Sequence, residues 1–284
     1  MTFRTTGDAS NSLESIAPGG SSRRGREILR VSIGDAMVHS MRQSECVECV
    51  MAELKAGRGG WIATANVDHL LRLRRSEDFR RAYEGASVVV ADGMPLIWAS
   101  RLQGTPLPER VAGSDLIYSL TAAAARDGRG VFFLGGNPGS AEVAAAKLSE
   151  LSPGLRVQGT ACPPVGFEQQ PELVEELSAV LAASGADIVF VALGSPKQEL
   201  LIERMRSVLP NAWWIGVGIS FSFVAGEVLR APRWMQRLGL EWAHRLTQEP
   251  CRLWNRYLVQ GLPYASCLMV QSVLRRFMSR SRKS

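Results

Sequence analysis

Trp61-Ile62-Ala63-Thr64-Ala65-Asn66-Val67-Asp68 and Ala86-Ser87-Val88-Val89-Val90-Ala91-Asp92-Gly93-Met94-Pro95 decide the fold. In each, a short apolar run ends abruptly in polar residues. The runs at 61–65 and 86–91 are too continuously apolar for half-exposed strands, so they read as buried strands of a parallel sheet. Residues 70–85 between them read as one charged helix carrying Arg72, Arg74, Arg75, Arg80 and Arg81. Both runs therefore place polar groups at the C-terminal ends of neighbouring strands, where open α/β sheets bind ligands. Asp92-Gly93 sets a carboxylate on a tight turn with little steric cover, a good place for a general base. On spacing alone, capping of the helix that opens at Met94 is the simpler account of Asp92.

The same alternation extends in both directions. Residues 28–33 read as a strand, and 35–55 as a helix with Met37, Met41, Val47, Val50, Met51 and Leu54 on its apolar side. Beyond 94–102, a Pro-containing loop leads to a helix capped by Ser114 or Asp115. Further strands are expected at 130–134, 155–160, 187–193 and 213–217, with helices between them. The fold class is α/β: a Rossmann-like, mostly parallel sheet with helices on both faces, plus a helical C-terminal appendage. Residues 1–26, rich in Ser, Gly, Thr and Arg, read as a disordered leader. Residues 27–230 form the α/β domain and 231–284 the appendage.

Composition narrows the partners. The 284-residue chain carries a formal charge of +6 and a pI of about 9.4. Six arginines lie between Arg230 and Arg256, against only Glu241 and Glu249. The tail adds Arg275, Arg276, Arg280, Arg282 and Lys283 without an acid. Such a segment points to phosphates, on a nucleotide, a lipid headgroup, an anionic membrane or nucleic acid. The five cysteines read as plain thiols in a reducing compartment, Cys46 and Cys49 included. His39, His69 and His244 form no ligand pattern. The N-terminus shows no signal peptide, and no run approaches the ~20 apolar residues of a membrane span.

Three glycine-containing corners follow later strands. Gly135 and Gly136 open a strand-loop-helix corner where a ligand can approach the backbone, although a tight turn explains them as well. Gly216-Val217-Gly218 resembles a dinucleotide fingerprint only superficially, because Phe221 stands where the third glycine belongs. Gly194-Ser195-Pro196 precedes Lys197, Gln198 and Glu199. Helix initiation accounts for Pro196 and Glu199 but not for Gln198. Asp68 and Asp115 are candidates of the same kind as Asp92, and Asp115 is well explained as a cap. No Asp-x-Asp occurs, so a metal-bridged nucleotide-diphosphate site lacks its usual carboxylates, and arginine is the natural substitute.

Taken in order, several segments resemble the WecG/TagA/CpsF family of bacterial glycosyltransferases. They are Thr64-x-Asn66-x-Asp68, Asp92-Gly93-Met94-Pro95, Arg110-Val111-x-Gly113-Ser114-Asp115, Phe133-Leu134-Gly135-Gly136, Leu193-Gly194-x-Pro196-x-Gln198-Glu199, Gly216-Val217-Gly218, Arg230-Ala231-Pro232-x-Trp234, Glu241-Trp242-x-x-Arg245 and Glu249-Pro250-x-Arg252. The resemblance spans roughly residues 30–257. It implies an inverting enzyme that moves a hexose or N-acetylhexosamine from a UDP-sugar to a polyprenyl-diphosphate-linked saccharide, in cell-surface or exopolysaccharide biosynthesis. It implies no metal, no cofactor and no nucleic-acid partner. The place of work would be the inner face of the cytoplasmic membrane, with the enzyme cytoplasmic and peripheral. By the same resemblance Asp92 is the base, and Thr64, Asn66, Gly93, Arg110, Asp115, Gly135, Gln198 and Glu199 belong to the substrate site. Arg245, Arg252 and the nearby Arg256 meet the nucleotide diphosphate, and the appendage meets the membrane.

This sequence departs from the family pattern at Ala65, where Pro is common, and at Ile219 and Ser222, where Gly and Asp are common. These departures fall at the sugar pocket and leave the donor sugar open, as the sequence leaves homo-oligomerisation open. A nicotinamide oxidoreductase is disfavoured because Gly34-Asp35-Ala36-Met37, rather than a glycine fingerprint, follows the first strand. The alternative is a non-catalytic module that binds nucleotides or anionic membranes. It explains the charge but not the polar residues at several strand ends.

Overall fold

In the computed structural model the structure describes residues 28–281, with side chains through 278. The expected leader and the last tail residues lie outside that range.

The chain begins with an antiparallel hairpin, β1 (Arg30–Ile33) and β2 (Ala36–His39), followed by α1 (Gln43–Lys55). Then come β3 (Gly60–Ala65), α2 (Val67–Arg75), α3 (Glu77–Glu84), β4 (Val88–Ala91), α4 (Met94–Gln103) and α5 (Gly113–Asp127). The second half holds β5 (Gly130–Gly135), α6 (Ser140–Leu151), β6 (Arg156–Ala161), α7 (Pro171–Ser184), β7 (Ile188–Ala192), α8 (Lys197–Met205), β8 (Trp213–Gly216) and α9 (Ser220–Ala225). The C-terminal segment comprises α10 (Arg233–Arg237), α11 (Glu241–Gln248), α12 (Pro250–Trp254), a π-helical stretch Asn255–Gly261 and α13 (Leu262–Ser281). No strand follows β8 among the described residues.

Strands β3 to β8 form one six-stranded sheet in the order β4-β3-β8-β7-β5-β6, parallel at every pairing. Alternation along the strands feeds two cores. Trp61, Ala63 and Ala65 of β3 join Val89, Phe132, Val191 and Trp214 on one face, beneath α2, α3, α4, α7, α8 and α13. Ile62 joins Val88, Val90, Phe133, Phe190 and Ile215 on the other, beneath α1, α5, α6 and α9. Trp61 and Trp214 are fully buried, and a side chain of that size stabilises by about 1.5–3 kcal/mol or more on burial. The C-terminal segment shares the first core: Tyr264, Leu268 and Ser272, spaced four apart on α13, are its buried stripe.

Three expectations are corrected. Residues 35–55 do not form one helix. Gly34 adopts φ +58° and turns the chain into β2, so Met37 faces solvent and Met41 is buried ahead of α1. The 70–85 helix is broken at Ser76, which takes an extended conformation and caps α3 by accepting from the Phe79 N–H (3.2 Å). Neither Ser114 nor Asp115 is the cap of α5. That position is Ala112, because Val111 N–H is held by the Ala91 carbonyl (2.8 Å) and the helix starts at once.

Candidate active site

All six strands of the sheet end on one edge, and their C-terminal loops enclose a cavity of 820 Å³. That is within the range of small-molecule sites. Thr64 and Asn66 arrive from β3, Asp92 and Gly93 from β4, Gly136 and Asn137 from β5. The loops after β6, β7 and β8 complete the floor, and α11, α12 and the π-helical stretch close it from above with Trp242, Arg245, Arg252 and Arg256.

Asp92 follows the last residue of β4. Its N–H continues the ladder to the Ala65 carbonyl (2.7 Å), which fixes the direction of its side chain. The first N–H of α5, from Gly113, points at Asp92 Oδ2 from 3.4 Å, and Arg110 Nη1 lies 3.7 Å from Oδ1. Gly113 has to be small, since a Cβ there would stand 3.2 Å from the Gly216 carbonyl. Burial pushes the Asp92 carboxyl up to about 7, with Glu241 and Asp115 adding to the rise and Arg110 and the Gly113 amide opposing it. A carboxylate with that proton affinity suits general base work near neutral pH.

Thr64 is buried in the cavity wall. Asn66 caps α2, its Oδ1 accepting from the Asp68 and His69 N–H groups (3.0 and 3.2 Å). Gly93 leaves an opening, because a Cβ there would meet only ordinary contacts at 3.6–3.7 Å. Gln198 is buried and bridges two loops: Nε2 donates to Glu199 Oε1 (2.7 Å) and Oε1 accepts from the Gly218 N–H (3.0 Å). The second bond ties it to the β8 loop, and Gln198 also lines the cavity.

Three expected site residues stand away from the cavity wall. Gly135 ends β5 with φ +94°, and a Cβ there would clash with Leu193 at 2.8 Å, so the strand end itself demands glycine. The neighbouring Gly136 is the residue that faces the cavity. Glu199 is buried beneath the floor, its Oε1 3.5 Å from His69 Nε2. Burial holds the His69 imidazole below its ordinary proton affinity. Asp115 sits behind Arg110, paired with Arg110 Nη2 (3.5 Å) and Arg230 Nη1 (2.6 Å).

The arginines differ in their commitments. Arg252 pairs with Glu249 (2.6 Å), and Arg256 pairs with Asp68 (3.0 Å), which Arg72 also holds (2.9 Å). Arg245 has no carboxylate partner among the described residues, and its buried Nε has no hydrogen-bond acceptor. Arg230 and Glu241 were not singled out from the sequence. Both stand in the matched motifs, but only their meeting at Asp115 and Arg110 gives them a place in the site. The signals available were those motif positions and, for Glu241, its being one of only two acids among the arginines of 230–256.

No three His, Cys, Asp or Glu side chains converge as metal ligands among the described residues. Cys46, Cys49, Cys162, Cys251 and Cys267 are all free thiols.

Residues 31–278 match the glycosyl transferase WecG/TagA/CpsF family. The chain belongs to that family. It is 34% identical over 205 residues, 72% of this chain and 77% of the relative, to the N-acetylglucosaminyldiphosphoundecaprenol N-acetyl-beta-D-mannosaminyltransferase of Bacillus spizizenii. The match takes in α10 to α13 as well as the sheet, so the helices that close the cavity are part of the family's common plan. It also makes this a glycosyltransferase, and the cavity is lined by Asp92 and by several arginines.

Proposed function

We propose that the protein is an inverting, metal-independent glycosyltransferase that moves a hexose or N-acetylhexosamine from a UDP-sugar to a polyprenyl-diphosphate-linked saccharide, in cell-surface polysaccharide synthesis. The observation that carries this reading is the pairing, in one cavity, of Asp92 with an arginine that has no carboxylate partner, Arg245. The relative's lipid-diphosphate acceptor supports the acceptor class.

The reaction is a single displacement. Asp92 takes the proton of the acceptor hydroxyl as its oxygen attacks the anomeric carbon, and the bond from that carbon to the UDP oxygen breaks. Negative charge grows on the leaving diphosphate and is met by Arg245. Arg252 and Arg256 hold Glu249 and Asp68 through Nη2 and keep further N–H groups with which to join it. Thr64 and the open face at Gly93 border the sugar.

Arg245→Ala is expected to weaken UDP binding about 10–100-fold, the value of a charge-assisted hydrogen bond. Calorimetry with UDP checks this, and unchanged affinity removes Arg245 from the diphosphate site. The decisive assay is UDP release from a panel of UDP-sugars in EDTA, with and without a short-chain polyprenyl-diphosphate sugar. Acceptor-dependent release from one donor supports the transferase. UDP binding without release from any donor favours the binding module.

The C-terminal segment is the proposed membrane contact, on the inner face of the cytoplasmic membrane. No helix among the described residues is long and apolar enough to cross a bilayer. Trp234, Leu238, Trp254, Val259, Leu262, Val270, Leu274 and Phe277 are exposed on it, beside Arg275 and Arg276. An apolar face with cationic flanks lies well in an anionic interface. Flotation with phosphatidylglycerol vesicles is expected to recover the protein at low salt and lose it at high salt. No recovery at low salt counts against the membrane role.

A further inference from the structure

Arg110 stands among three carboxylates, two of which compete for its Nη1. Its Nη1 is 3.0 Å from Glu241 Oε2 but 3.7 Å from Asp92 Oδ1, and its Nη2 is 3.5 Å from Asp115 Oδ2. The bond is therefore to Glu241, and the approach to Asp92 falls outside hydrogen-bond range. Glu241 and Asp115 are also joined through Arg230, at 3.4 Å and 2.6 Å. Two guanidinium groups thus serve three carboxylates. The one left without a close ion pair is Asp92, which has Arg110 Nη1 at 3.7 Å and the Gly113 N–H at 3.4 Å. Asp92, Arg110 and Asp115 belong to the α/β body, whereas Glu241 is the first residue of α11 and comes from the C-terminal segment.

We propose that Glu241 is a positioning residue for the base: brought to the site by α11, its carboxylate takes Arg110 and keeps that guanidinium from pairing closely with Asp92. This rests on the assignment of Asp92 under Proposed function. The charged groups facing Asp92 from the elements around it are Arg110, Asp115 and Glu241, with the Gly113 amide at the start of α5. Neutralising Glu241 frees Arg110 to pair fully with Asp92 and removes a nearby negative charge. Both changes favour the ionised carboxylate.

The test compares full-length wild type with Glu241→Gln. The pH dependence of kcat is measured with the donor selected by the UDP-release panel. The Asp92 carboxyl is titrated separately by 13C NMR, assigned by difference from Asp92→Asn and requiring no substrate. In Glu241→Gln the acid limb and the Asp92 titration are expected to move down together by about one pH unit or more. The plateau is expected to fall several-fold, because a weaker base is a poorer proton acceptor. Loss of packing alone lowers kcat at every pH and moves neither midpoint. An Asp92 titration unmoved by Glu241→Gln overturns the proposal. If instead Asp92→Asn keeps its turnover, the base assignment fails by itself, and the NMR titration still decides whether Glu241 governs Asp92.

Discussion

Asp92→Asn is expected to lower turnover by about 10²–10⁴-fold, the usual cost of losing a general base, with UDP affinity nearly unchanged. The same substitution is expected to stabilise the protein at alkaline pH. Asp92 holds its proton up to about pH 7 in the folded chain, against an ordinary value of 3.8. Between those two values the native state binds more protons than the unfolded state, so stability falls as pH rises through the window. Above pH 7 the full cost of ionising this half-buried carboxyl is present, on the order of 2–4 kcal/mol. Asn carries no such cost. Urea titrations of both proteins at about pH 5 and pH 8 check this, and the advantage of the variant should appear mainly at the higher pH. Turnover near wild type would remove Asp92 as the base. An advantage equal at both pH values would show that the carboxyl is not desolvated.

Phe221→Ala is expected to destabilise the fold by about 3–5 kcal/mol, the range for emptying a buried aromatic site. Phe221 is fully buried. Its ring meets Phe133 edge-on, with centroids 5.5 Å apart, and Phe133 stacks on Phe190 at the same distance. A Cβ on Gly136 would stand 3.1 Å from the Phe221 ring, so this side chain wedges the β5 loop against the β8 loop. Both loops line the cavity, and UDP affinity should fall along with stability. Thermal melting and UDP calorimetry check the two effects. A loss below about 1 kcal/mol would show that the wedge repacks. A dinucleotide fingerprint has glycine at this position. Phe221 therefore does here what a third glycine cannot: it fills the space between two strand ends.

How much of this was legible in the residues varies with the range of the interactions involved. The buried strands were readable because a strand covered on both faces must be apolar nearly throughout, and the runs at 61–63, 88–91 and 188–193 are. The polar turns after β3 and β4 were readable for the same reason, since an apolar run that stops at Asn66 or Asp92 marks a strand end. The β1–β2 hairpin was missed because Met37 and Met41 stand four apart, a helical spacing, whereas Met37 faces solvent on β2 and Met41 follows that strand. Gly34 was the turn signal that decides for the hairpin. The break at Ser76 was hidden in a run of good helix formers.

Local chemistry along the chain determined the sheet, the edge at which its polar turns gather, the place of Asp92 at a strand end and the basic, aromatic character of the C-terminal segment. Each of these depends on a few consecutive residues and on backbone periodicity, which a sequence carries openly. Only the tertiary structure decided how the charges are shared. It paired Arg110 with Glu241, 131 residues away, rather than with Asp92, and it left Arg245 without a carboxylate partner. It also set Gly135, Asp115 and Glu199 behind the cavity wall rather than in it. Those outcomes follow from distances of a few tenths of an ångström between groups brought together from remote parts of the chain, and ion pairing and desolvation are steep functions of such distances.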